Sequence, residues 1–486
     1  MSTSKPVRVR FAPSPTGELH LGGARTALYN YLFARQHGGA MVLRIEDTDQ
    51  KRYVSGAMDR FLEDLAWLGI VIDEGPDQGG EYGPYIQSER VGRYRSAAHA
   101  LVASGHAYYE LGTGEGGIRE DDEYRRGRNV YRGATRDADQ GALKREIDKG
   151  APFVVRLKVL SVGNIEVHDL VRGSVTFNLA TVDDAVLLKS DGLPTYHLAA
   201  VIDDHEMAIS HVFRSEEWLP STPKHLLLYQ ALGWMPPQFA HLPLLLAHDG
   251  KKLSKRMHGP AVWVRTYRDQ GYIPEAFVNY LALLGWNPGG DEEFFSLDQL
   301  VTRFSLEHVH KAGAKFDQDK LDAFQRHWVS RLNVEDLAGR LQPFLGTAIH
   351  PDLLHRMIVV TQPRLGRLSE FQAAIQFFLV LPDYDPRILV FRKSTREQTK
   401  AGLVAARSSL GQCASTTWHD TNELKHVLEH AVAASGLGNA DLFWPVRVAL
   451  TGQERSPSPS ECLWVLGQEE SLSRLGQAIR LLDEAR

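Results

Sequence analysis

Two strand–helix units follow one another at the N-terminus, and they constrain the fold more than any other feature of the chain. Val7, Val9 and Phe11 alternate with Arg8 and Arg10, the period of a strand. The run ends in Ala12-Pro13-Ser14-Pro15-Thr16-Gly17, a turn rich in Pro and Gly. After Gly22-Gly23 a helical spacing begins with Ala24, Ala27, Leu28, Tyr31 and Leu32. Met41–Ile45 reads as a second strand and ends in Glu46-Asp47-Thr48-Asp49. A second amphipathic helix carries Met58, Phe61, Leu62, Leu65 and Leu68 and stops at Gly69. This order implies a parallel sheet with right-handed crossovers. In such sheets ligands bind beyond the carboxyl ends of the strands, where both loops fall.

From Tyr85 to Thr195 the spacing changes. A helix over Gln87–Ser104 precedes a polar, Gly- and Arg-rich stretch over Gly112–Gly150, then short strands at Phe153–Val159 and Ala185–Lys189. This stretch reads as an insertion, after which Tyr196–Asp203, His211–Phe213 and a helix over Pro223–Leu232 return the chain to the sheet. Helical periodicity takes over beyond Lys251 and is nearly exclusive after Asn333, as in Val334–Leu345, Ser369–Phe378, Asn422–Ala434 and Ser471–Leu482.

A length of 486 residues leaves room for about three or four domains. The 55 Lys and Arg against 60 Asp and Glu give a net charge of −5. That balance argues against holding nucleic acid by a global basic field, though a local basic track fits it. The longest apolar runs, Leu242–Ala247 and Phe377–Leu381, are too short to span a membrane, and the start lacks the apolar core of a secretory signal. With Cys413 and Cys462 as the only cysteines, neither a disulfide framework nor a cysteine-based zinc site is expected, and the chain reads as cytoplasmic.

Gly112-Thr113-Gly114-Glu115-Gly116-Gly117 has the letters of a dinucleotide loop. The hydrophilic run Arg119–Arg128 follows where an apolar helix is required, so it reads as a loop. The first strand–helix turn is a stronger candidate. Its prolines stiffen the loop, its glycines admit a ligand near the backbone, and the helix behind it offers free N–H groups to a phosphate. His20 is there either as a phosphate donor or as a structural histidine of the turn. Lys251-Lys252-Leu253-Ser254-Lys255-Arg256 packs four cations into six residues after the turn His248-Asp249-Gly250. Either an anion such as polyphosphate neutralises them, or the loop is a solvated or nucleic-acid-binding one.

Their joint order is more specific than either motif alone. Pro13-Ser14-Pro15-Thr16-Gly17 through His20-Leu21-Gly22-Gly23, then Arg44-Ile45-Glu46-Asp47-Thr48-Asp49, then Lys252-Leu253-Ser254-Lys255-Arg256 resembles the signatures of class I aminoacyl-tRNA synthetases. Within that class the chain resembles the bacterial-type glutamyl-tRNA synthetases. The likeness continues through Gly83–Arg90, Leu188–Ala199, Asp203-Asp204-His205, Arg214–Pro223 and Pro445–Gly452. It implies an α/β fold: a Rossmann-like parallel-sheet catalytic domain from residues 1–84 and 196–250, with an acceptor-binding α/β insertion at 85–195. A stem-contact region at 251–332, carrying the KLSKR loop, and an all-α anticodon-binding region at 333–486 are implied to follow.

The implied activity is ATP-dependent activation of L-glutamate to glutamyl-adenylate and transfer of the glutamyl group to the 3′ end of tRNA(Glu). Matched positions assign Arg10 and Arg214 to the two carboxylates, Glu46 to the ammonium, and Tyr196 and Ser14 to hydrogen bonds. Which Arg takes which carboxylate stays open. Guanidinium forks suit carboxylates and disfavour the neutral amide of glutamine. The resemblance assigns ATP to Pro13, Thr16, Gly17, His20, Gly22, Gly23, Glu217, Lys252, Ser254, Lys255 and Arg256, with Glu217 on the adenine or ribose side. Neither step needs a covalent nucleophile, so catalysis is expected from positioning and from cations meeting charge at phosphorus. His20 and Lys255 are the implied transition-state contacts, and Lys252 the contact to the leaving pyrophosphate. Mg2+ is expected with the ATP, with no protein ligand assigned to it and with Asp47 and Asp49 read as structural.

Four positions depart from the family pattern. His106-Ala107-Tyr108-Tyr109-Glu110 lacks the cysteines of a zinc site that some members carry, so zinc is not expected. Ala200 stands where the family usually has Asn, and Ala323 and Gln325 where it has Trp and Asn. Gln362 in Gln362-Pro363-Arg364 replaces an Arg that can reject the third anticodon base of glutamine tRNAs, which leaves tRNA(Gln) open as a second partner. A monomer is the family expectation. The helical region from Asn333 argues against a shortened tRNA-modifying paralogue. His20-Leu21-Gly22-Gly23 and the helices argue against a glutaminyl enzyme. The intact His20, Lys252 and Lys255 argue against a catalytically dead RNA-binding protein.

Overall fold

The computed structural model describes residues 6–112 and 130–484, so all but the first glycine of the Gly112–Gly117 motif lies outside the described residues. The chain divides into two compact units, Met1–Arg268 with Pro274–Phe324, and Asp269–Ile273 with Gln325–Arg486.

In the first unit β1 (Arg8–Phe11), α1 (Leu21–Gln36), β2 (Ala40–Leu43) and α2 (Ala57–Trp67) realise the strand–helix repeat. β1 pairs in parallel with β2, Val9 opposite Met41. All four residues of β1 are buried. Arg8 and Arg10 therefore do not face water, as their alternation suggests. They pair instead with acids, Arg8 with Glu74 at 2.6 Å and Arg10 with Asp204 at 3.0 Å. A central parallel strand is covered on both faces, so a polar residue persists there only with a partner.

After α3 (Val91–Ala103) come β3 (Ala107–Leu111), β4 (Phe153–Leu157), β5 (Asn164–Asp169), β6 (Gly173–Asn178), β7 (Val186–Leu188), β8 (His211–Ser215) and β9 (Gln238–Leu242). The main sheet has the order β2-β1-β8-β9-β5-β6, parallel except for the antiparallel pair β5 and β6. β3, β4 and β7 form a second, antiparallel sheet. The stretch 85–195, expected as one insertion, is thus divided, because the β5–β6 hairpin extends the main sheet. Its alternation of exposed and buried residues along β5 suits a strand near a sheet edge. Tyr196–Asp203 differs too. It belongs to a helix, Tyr196–Glu206, buried without a break from His197 to Asp204. An apolar run with no period does not separate a strand from a buried helix.

The second unit is helical, from Val334–Leu341 to the long Pro459–Glu484, which bends at Gly467 with φ 76°. It starts at Gln325 rather than at 333 and takes in Asp269–Ile273. Gln325 itself makes that tie: fully buried, it accepts from the Ile273 backbone N–H at 3.0 Å and donates to the Gly271 carbonyl at 3.1 Å. Among the described residues no helix is long and apolar enough to cross a membrane.

Candidate active site

The loop after β1 is held against the chain after β2. The Arg44 N–H donates to the Phe11 carbonyl and the Glu46 N–H to the Pro13 carbonyl, both at 3.0 Å. α1 starts at Leu21, one turn earlier than its apolar spacing, because His20 caps it: Nδ1 accepts the Gly22 N–H at 3.0 Å. Histidine is not a preferred capping residue, so sequence alone gives little sign of this. A lone pair on Nδ1 leaves the imidazole proton on Nε2. Burial, and then the charge of Lys252, hold the His20 imidazole down at about 4. His20 is therefore a neutral ring whose donor is Nε2–H.

Lys252 lies on the same site, since it and Glu217 both act on His20. Lys252 Nζ sits 2.5 and 2.6 Å from the two Glu217 carboxylate oxygens. Glu217, expected against adenine or ribose, has its carboxylate on this lysine. Lys255–His258 form a short helix after Ser254, and the side chains of Lys255 and Arg256 lie outside the described ones.

Beneath the loops, three arginines and three acids form one buried group. Arg44 reaches Asp204 at 2.6 Å and Glu46 at 3.0 Å, Arg10 reaches Asp204 at 3.0 Å, and Arg90 reaches Asp203 at 2.7 Å. Gln87 and Tyr94 also donate to Asp203. Burial works to raise the Asp204 carboxyl, but Arg10 and Arg44 outweigh it and hold it below the ordinary value. For Glu46 burial prevails over Arg44 and Arg10 and raises it. Asp47 accepts the Ser88 N–H at 2.8 Å and Asp49 pairs with Arg52.

Arg214, on β8, has different company. Its Nε donates to His241 Nε2 at 2.9 Å, Nη1 to the Tyr196 hydroxyl at 2.8 Å and to His225 Nδ1 at 3.2 Å, and Nη2 to Thr222 Oγ1 at 2.8 Å. Among the described residues its hydrogen-bond acceptors include no carboxylate, although Arg214 is only 6% exposed. Burial lowers the nearby His197 to about 3 and His241 to about 4, and holds His225 well below the ordinary value. The guanidinium is thus surrounded by neutral rings.

Residues 6–323 match the model of the class I tRNA synthetase (E and Q) catalytic domain, and residues 336–479 match an anticodon-binding domain. A glutamate–tRNA ligase of Dehalococcoides mccartyi is 44% identical over 98% of both chains. One from Christiangramia forsetii is 40% identical over 99% of this chain and all of its own. The crystal structure of a glutamate tRNA ligase from Elizabethkingia meningosepticum, in complex with its amino acid, superposes with a TM-score of 0.87 at 36% identity, covering 98% of this chain and 99% of that one. The chain belongs to the glutamate–tRNA ligases of class I. Such a ligase is an enzyme that uses ATP.

Of the residues expected in the ligase site, the structure gathers His20, Glu217 and Lys252 at one place, Arg10 with Glu46 at a second, and Tyr196 with Arg214 at a third. Ser14 and Thr16 are exposed on the loop, which also carries Pro13 and Gly17, while Gly22 and Gly23 lie in the first turn of α1. Gly17 adopts φ 145°. An added Cβ at Gly22 would meet His20 Nδ1 at 3.4 Å, an ordinary contact distance. Ala200 is buried within its helix. Gln362 lies in the second unit, and its amide nitrogen donates to the Val329 and Leu332 carbonyls, both at 2.8 Å. Sequence reasoning missed Asp169, His197, His225 and His241. Only the strand register brings His241 to this site, as the direct parallel partner of Arg214 between β8 and β9.

Proposed function

We propose that this ligase binds glutamate with Arg214 as the reader of a carboxylate, activates it with ATP, and passes the glutamyl group to tRNA(Glu). The carrying observation is the contrast between the two arginines. Arg10 is already paired with Asp204, whereas the acceptors on the buried Arg214 are a phenol, a hydroxyl and two imidazoles. A buried cation without a carboxylate is costly, and a substrate carboxylate supplies the missing charge. Tyr196 shares that carboxylate, Glu46 takes the ammonium, and Arg10 acts through Glu46 and Asp204 or on the second carboxylate. Ser14 contributes a hydrogen bond from the loop. A glutamine amide cannot replace the anion at Arg214, which favours glutamate.

ATP lies over the loop and the α1 N-terminus, with Pro13, Thr16, Gly17, Gly22 and Gly23 along it. His20 donates from Nε2 to a phosphoryl oxygen. Lys252, freed from Glu217, meets the leaving pyrophosphate, and Ser254, Lys255 and Arg256 complete the basic wall. Mg2+ would come with the nucleotide. Among the described residues no three His, Cys, Asp or Glu side chains gather into a cage, so phosphate oxygens and water would hold it. Bound there, it neutralises phosphate charge.

On the tRNA side the part of 85–195 outside the β5–β6 hairpin, the region that follows residue 251, and the helical region from Gln325 take the acceptor end, the stem and the anticodon. Gln362 directs its amide protons to the Val329 and Leu332 carbonyls and offers an anticodon base no cation. That favours acceptance of tRNA(Gln) beside tRNA(Glu). A monomer in the cytoplasm completes the reading, checked by sedimentation and by cell fractionation. ATP–pyrophosphate exchange with glutamate, run with and without cognate tRNA, tests the activity. Exchange that stays absent with glutamate, ATP, Mg2+ and tRNA(Glu) all present overturns it.

A further inference from the structure

Arg214 is held from behind by a chain that starts at a carboxylate. Asp169, at the end of β5, has Oδ2 2.5 Å from His241 Nδ1, while its Oδ1 takes the backbone N–H groups of Val171 at 3.0 Å and Arg172 at 2.8 Å. An aspartate there accepts, so Nδ1 carries the imidazole proton and Nε2 presents a lone pair. That lone pair receives the Arg214 Nε–H at 2.9 Å. Asp169, His241 and Arg214 are 5%, 0% and 6% exposed, so the arrangement is fixed by packing.

Two consequences follow. Pinning Nε from behind fixes the plane of the guanidinium and turns its Nη atoms to Tyr196 and Thr222. The imidazole also stands between the Asp169 carboxylate and the guanidinium. A carboxylate in direct contact would consume the charge of Arg214, as Asp204 does that of Arg10. A neutral ring orients the cation and leaves its charge for the substrate.

The geometry points to Asp169 and His241 as a positioning pair that aims Arg214 at the glutamate carboxylate and preserves the preference for glutamate over glutamine. This rests on the reading of Arg214 as the carboxylate contact. Two amide variants at one position dissect the pair. His241→Asn can still reach Asp169 but not Arg214, whereas His241→Gln can reach Arg214 in place of Nε2.

The test is tRNA charging by the full-length enzyme, with KM for glutamate, ATP and tRNA, kcat, and the ratio of glutamate to glutamine use measured for Asp169→Asn, His241→Asn, His241→Gln and Arg214→Leu. Asp169→Asn and His241→Asn are expected to raise the glutamate KM by ~10-fold or more and to lower the glutamate preference alongside. His241→Gln is expected to stay within about threefold of wild type, as are the ATP KM and kcat of all three pair variants. Equal glutamate KM values in the two His241 variants, or an equal rise in every KM, overturn the pair's role. If Arg214→Leu alone raises the glutamate KM, only the pair fails. If Arg214→Leu leaves it unchanged, the reading of Arg214 fails.

Discussion

Lys252 and Glu217 satisfy each other, with Nζ 2.5 and 2.6 Å from the two carboxylate oxygens. Both side chains are about half exposed, at 49% and 41%, so the pair adds little to stability, about 0.2–1 kcal/mol. On the proposed placement, a polyphosphate, which carries more charge than one carboxylate, displaces Glu217. Lys252→Met is expected to lower kcat/KM for ATP in pyrophosphate exchange by ~100-fold while the melting temperature stays put. A variant with unchanged ATP kinetics contradicts the placement of phosphate on Lys252.

His20 caps α1 through Nδ1 and is proposed to donate to phosphate through Nε2, two roles that a substitution can separate. His20→Asn keeps a good cap, so its unfolding free energy is expected within about 1 kcal/mol of wild type. It loses the donor, so exchange should fall by ~100-fold or more. Full activity in this variant removes His20 from the chemistry.

The His20 imidazole, down at about 4, also sets a pH dependence. Its folded value lies below its unfolded one, so between about 6.5 and 4 the unfolded state binds the extra proton. The contribution of His20 to stability is thus complete above that window and is lost as the pH falls through it. Urea titrations at several pH values compare wild type with His20→Asn, which has nothing to titrate there. Wild type is expected to lose stability relative to the variant on going from pH 7 to pH 5. A difference that is flat with pH means the imidazole is not depressed.

Asp203 is fully buried and receives Arg90, Gln87 and Tyr94. Replacing it by Ala strands buried guanidinium charge and should cost about 3–5 kcal/mol in urea unfolding. A cost below about 1 kcal/mol, the range of exposed pairs, shows that the network does not bear on stability.

Much of the catalytic fold is legible in residues 7–68 because parallel strands joined by helices impose two periods, and the turns between them are chemically distinctive. Both ends of the loop site are readable for that reason. The surroundings of Arg214 are not. Asp169, Arg214 and His241 lie far apart in the chain and meet because β8, β9 and β5 are neighbours in the sheet. No local pattern encodes that order. Arg10 misleads for a related reason: alternation reports one covered face, and a central parallel strand has two. The boundary at Gln325 is hidden because it depends on one buried amide.

Gln362→Arg tests tRNA choice. Wild type is expected to charge purified tRNA(Glu) and tRNA(Gln), and the variant to lose most of the second. Charging of tRNA(Glu) alone by wild type contradicts relaxed choice.

Whether the buried and unneutralised Arg214 receives a substrate carboxylate can be seen in a crystal structure of the enzyme with L-glutamate bound. One carboxylate is expected within about 3.2 Å of an Arg214 Nη atom and of the Tyr196 hydroxyl, with the ammonium beside Glu46. Glutamate bound with both carboxylates away from Arg214 contradicts the reading of Arg214.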